Sequence, residues 1–167
     1  MKRDEMFHCL SEHMINGVMF HANMADYFRF MGLSGFAQLH EHRYECESHD
    51  LRELHRWAIC NFDKLIQPMS KSEKSPIPDA MYGYARCDIS RGVRQSAVKG
   101  AFEAWVKWET DTVNLLQSMY CSCEEADIKR YLQCMIDETR NELGDAVEIH
   151  LRLEACDYDM SYIVSIQ

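Results

Sequence analysis

The chain has 167 residues, room for one domain, and its balance of 47% hydrophobic and 27% charged residues is that of a folded protein with a core. Eighteen basic against 27 acidic residues leave a net charge of -9, which opposes neutralisation of phosphates and argues against direct nucleic-acid binding. Seven glycines and three prolines are too few for a many-turned sandwich or barrel, and no apolar run reaches the ~20 residues of a membrane span. The start, Met1-Lys2-Arg3-Asp4-Glu5-Met6, lacks an apolar signal core, so a cytoplasmic protein is expected.

The first predicted helix covers 4–31, with Phe7, Leu10, Met14, Gly17, His21, Met24 and Phe28 recurring at three and four residues. Gly32-Leu33-Ser34-Gly35 breaks it, and Ser34 is a plausible N-cap for a second helix over 34–66. That helix carries Phe36, Leu39, Arg43, Glu47, Leu51, Leu54, Ala58 and Phe62. All three prolines, Pro68, Pro76 and Pro78, fall in a polar stretch that marks 67–88 as a linker. A third helix over 89–121 opens behind Asp88 or Ser90 and carries Val98, Phe102, Trp105, Glu109, Val113, Leu116 and Tyr120. A fourth, over 124–157, carries Ile128, Leu132, Met135, Thr139, Glu142, Ala146, Ile149 and Leu153, and the residues from Tyr158 form a tail, either a short helix or a strand. Short turn, long crossover, short turn predicts an all-α, antiparallel four-helix bundle in a single domain.

Acids interrupt those apolar stripes. Glu47, Glu109 and Glu142 sit among core-type residues, and Glu138 lies four residues before Glu142 on much the same side. An isolated ionised carboxylate in a core is costly, so each must find a cation, a proton or a metal. At 1.5 Å per residue, Glu47 stands 15 residues beyond Gly32, Glu109 14 before Cys123 and Glu138 15 after it, so all three fall near one level. The residue opposite Glu47 on the first helix is near Gly17. Two readings follow: carboxylates gathered on a divalent metal, or carboxylates paired with Arg43, Lys107 or a buried histidine.

These segments resemble the ferritin superfamily, the group of ferritins, bacterioferritins and DNA-protecting mini-ferritins. Gly35-Phe36-Ala37-Gln38-Leu39-His40-Glu41 is similar to the opening of the second ferritin helix, and Glu47 falls where that helix carries its bridging metal glutamate. Leu39-His40-Glu41 is also similar to the Leu-His-Glu of mini-ferritins. Trp108-Glu109 with Val113-Asn114-Leu115-Leu116 resembles the third helix, and Asp137-Glu138-Thr139 the acidic stretch of the fourth. The resemblance spans roughly residues 10–155.

It implies iron, as a di-iron or mono-iron centre, with Glu47, Glu109 and Glu138 catalytic and Glu47, Asp50, Glu109, Glu138, Glu142 and His21 as metal ligands. It also implies a ferroxidase that oxidises ferrous iron with dioxygen, and a homo-oligomer between a dimer and a 12- or 24-subunit storage shell. The chain departs from the family pattern at named places. Asp50 and Asn141 stand three residues after Glu47 and Glu138 where the family has histidine, and the first helix offers Met14 to Val18 where the family has glutamate. Tyr44 replaces the aspartate of the mini-ferritin site. His13 and His21 lie one turn to either side of Gly17, with Glu12 nearby; His21, on the apolar stripe, is the better placed donor, as a ligand or as a hydrogen-bonded core histidine. The alternatives are a degenerate bundle acting as an interaction or structural protein, and a ferritin-like di-iron oxygenase.

Eight cysteines are scattered, with Cys121 and Cys123 the one close pair, and are expected to be reduced thiols rather than a zinc set. His40, His42, His49 and His55 spread around the second helix and are expected mostly to be solvated or to face another subunit.

Overall fold

A computed structural model describes residues 2–66 and 89–166. Five helices, with no strand among the described residues, run in the order α1 (Arg3–Phe30), α2 (Ser34–Phe62), α3 (Arg91–Ser122), α4 (Ala126–Ala155) and α5 (Met160–Ile166). The 67–88 linker and its prolines fall outside the described residues. The chain divides into two compact units; α1 packs on α2 in one, and α3 on α4 in the other.

In the first hairpin, every residue of the predicted α1 stripe, Phe7, Leu10, Met14, Gly17, His21, Met24 and Phe28, is buried. The chain leaves α1 through a Schellman turn: Gly32 at φ 78° donates to the Arg29 carbonyl, and Leu33 donates to that of Phe28 at 2.9 Å. Leu33 and Phe28 are both buried, the apolar contact that such a turn favours. Leu33 is the N-cap of α2 and Ser34 its first helical residue, one position later in role than Ser34 was expected to play. The helix ends four residues before position 66, because Asp63 adopts φ 49° and its N–H closes the last turn onto Ile59 at 3.1 Å. Arg3 lies over the Phe62 ring, and Lys64 pairs with Asp4 at 2.6 Å, tying the open end of the hairpin.

In the second hairpin, Ser90 is the N-cap of α3 and its hydroxyl accepts from the Val93 N–H at 3.3 Å. Val98, Phe102, Trp105, Glu109, Val113 and Leu116 are buried as one stripe. Opposite runs Ile128, Leu132, Thr139, Ala146 and Leu153 of α4. A second Schellman turn ends α4 at Ala155: Asp157 donates to Glu154 and Tyr158 to Leu153. Asp157 and Tyr158 both lie in the left-handed region, at φ 49° and 51°. Tyr158 is buried and its hydroxyl bonds His150 Nδ1. Asp159 then caps α5, accepting from Ser161 and Tyr162 N–H at 2.9 and 3.1 Å. The tail is therefore helical, and its corner is tied to the start of α3 through Arg91–Asp159 at 2.5 Å and Gln95 to the Asp157 carbonyl.

Candidate functional site

The interior of the first hairpin holds polar groups where leucines would serve packing better. His21 on α1 and His40 on α2 are 1% and 0% exposed, and their Nδ1 atoms lie 2.9 Å apart. A hydrogen bond between two Nδ1 atoms needs one ring protonated there and the other not, so the pair is made of opposite neutral tautomers. Burial pushes His21 down to about 3, and burial pushes His40 well below the ordinary histidine value, with the Arg43 cation adding to both. Phe28 stacks on His40 at 5.4 Å, and Phe20 meets His21 edge-on at 5.1 Å.

One turn nearer the open end, Gly17 faces Glu47. A Cβ placed on Gly17 would meet the Glu47 carboxyl carbon and Oε2 at 3.1 Å and Oε1 at 3.2 Å, so the missing side chain is the space the carboxylate fills. Farther along the same seam, Ser11 Oγ and His55 Nε2 are 2.9 Å apart. Arg43 is half-buried on α2, three residues after His40 and four before Glu47. In the helical repeat those spacings put His40, Arg43 and Glu47 on one side.

The second hairpin has one fully enclosed acid. Glu109 is 2% exposed, and Trp105, one turn before it, donates its indole N–H to Glu109 Oε1 at 2.9 Å.

The expected metal ligands are thus distributed unevenly. Glu109 is buried, Glu47, Asp50 and Glu142 are half-buried, and Glu138 is exposed. His21 is inside the first hairpin but bonded to His40. Among the described residues, no group of three or more histidines, cysteines, aspartates or glutamates is gathered so as to hold a metal ion. Of Arg43, Glu47, Asp50, Glu109 and Glu142, none is without a partner.

Sequence reasoning did not single out His40 and His55, which belong to a set expected mostly to be solvated or to face another subunit; both face α1. The signal was present: His40 lies one turn after Phe36 and follows Ala37 by three, both buried. Set on that face, it meets His21, which the spacing had already placed on the α1 stripe. His42 and His49 are exposed as expected.

No family model, no curated protein and no solved structure matches the chain, so the functional reading rests on these residues.

Proposed function

We propose that the chain is a ferritin-like helical bundle whose interior charge is balanced by the protein itself, and that it works as an interaction or structural protein. Arg43 is the observation that carries this reading. Its guanidinium bears on both buried histidines, one turn from Glu47, the residue expected to bridge iron. A dicationic centre at Glu47 would have to form beside that fixed positive charge. Two histidines tied to each other through Nδ1, one carboxylate and an arginine do not make a donor set that fits such a centre. The exposure of Glu138 and the partnered state of the other acids support the same conclusion.

Iron oxidation is the second reading. Two things favour it: Glu47 lies against Gly17 as the level argument expects, and Glu109 is a hard oxygen donor enclosed in a helical core. There ferrous iron and dioxygen would be the substrates; a di-iron oxygenase acting on an organic substrate is a variant of the same idea.

An anaerobic ferrous-iron titration of the purified chain beside Glu47→Ala separates the readings. The expected result is no saturable uptake beyond that of the variant, together with a monomer or small oligomer by light scattering. Saturable binding near two irons per chain, abolished in Glu47→Ala, overturns the proposal and establishes the oxidase. Arg43→Gln should lower stability by about 1–3 kcal/mol by urea denaturation, because it takes a half-buried guanidinium away from the groups it interacts with.

A further inference from the structure

The outward side of α2 carries a second constellation that the interior does not use. Cys46 Sγ and His42 Nε2, one helical turn apart, are separated by 3.8 Å. His42 is exposed and Cys46 half-buried, so both donor atoms are within reach of an ion from solution. Zinc holds a thiolate sulfur at about 2.3 Å and an imidazole nitrogen at about 2.0–2.1 Å; ligand angles of a four-coordinate ion then set the nitrogen–sulfur separation at about 3.5–3.8 Å. The pair has that separation already.

We propose that His42 and Cys46 form a two-donor site for a thiophilic divalent cation of the zinc class. The sulfur binds as thiolate, releasing one proton to solvent as the metal–sulfur bond forms. Imidazole and thiolate are the donor types that select zinc over magnesium or calcium. Water completes the coordination. The net charge of -9 favours cation capture over the whole surface. This site is independent of the interior reading, since it stands whether or not iron binds at Glu47.

The test is a cobalt(II) titration of the full chain under reducing conditions, followed by zinc competition against a chromophoric chelator. Wild type should develop the near-ultraviolet thiolate-to-cobalt charge-transfer band. His42→Ala and Cys46→Ala should each lose that band and weaken zinc binding about tenfold or more, given that even outer-shell partners of a metal ligand are worth roughly 10–100-fold. Cys156→Ala, at an exposed thiol elsewhere in the chain, should change nothing. Substitutions at these surface positions are expected to cost within about 0.5 kcal/mol, and retained helical circular dichroism would verify folding. No band above that of Cys46→Ala, or a band that survives His42→Ala, overturns the proposal.

Discussion

Gly17 and the two histidines show how single positions govern the first hairpin. Replacing glycine by alanine inside a helix ordinarily gains roughly 1 kcal/mol. At Gly17 the new methyl would press on the Glu47 carboxylate at 3.1 Å, which offsets that gain. Gly17→Ala should therefore be neutral or destabilising alone and stabilising by about 1 kcal/mol in a Glu47→Ala background; a double-mutant cycle by urea denaturation should return a coupling of about 1 kcal/mol or more. The histidine pair carries a pH dependence of definite sign. His21 and His40 are held below the unfolded value near 6.5 mainly by burial, so the unfolded chain binds the protons more readily. Their neutral forms contribute full stability above about pH 6.5, and that contribution falls with pH from there toward the His21 value of about 3. Between pH 7.5 and 5 the unfolding free energy should fall, by about 2 kcal/mol for His21 with His40 acting in the same direction, and the double change His21→Leu with His40→Phe should flatten the profile.

At the scale of helices, periodicity and end signals gave most of the elements, because both report local physics. The α1 stripe is buried at every expected position, and Ser90 caps α3 as its side-chain chemistry suggested. Helix ends were less legible: left-handed Asp63 and Asp157 stop α2 and α4 with residues that are not glycine, and no local pattern marks those two aspartates over others. Both kinds of end can be measured. Ser90→Ala should cost about 0.5–2 kcal/mol through the lost cap to Val93. Asp157→Gly, at φ 49°, should be stabilising by up to about 1 kcal/mol, since glycine meets no steric objection there. Thermal unfolding monitored at 222 nm would read both.

For the whole molecule, the helical class was readable from scarce turns and a 3.6-residue period, whereas the site was readable only in part. Acids on apolar stripes announced a polar interior, and Glu109 is indeed enclosed. Which cation each acid meets depends on side chains brought together by tertiary packing. Arg43 illustrates this. In sequence it stands on the α2 stripe as one candidate cation for the acids; in the structure its charge bears on His21 and His40 and opposes their protonation. His40 illustrates the converse: its spacing from Phe36 and Ala37 marks a buried face, but the partner ring from α1 that it bonds is supplied by the fold.

The corner between α4 and α5 makes demands on position 158 that conflict. Its backbone, at φ 51°, would be most at ease as glycine, while its ring is 2% exposed and its hydroxyl reaches His150. Glycine would satisfy the dihedral and abandon the ring; phenylalanine would keep the ring and abandon the hydrogen bond; asparagine would tolerate the dihedral and fill little of the space. Among the twenty residues the local optimum and the tertiary optimum never coincide here, so position 158 has a narrow substitution profile set by compromise, with tyrosine alone supplying both ring and hydroxyl.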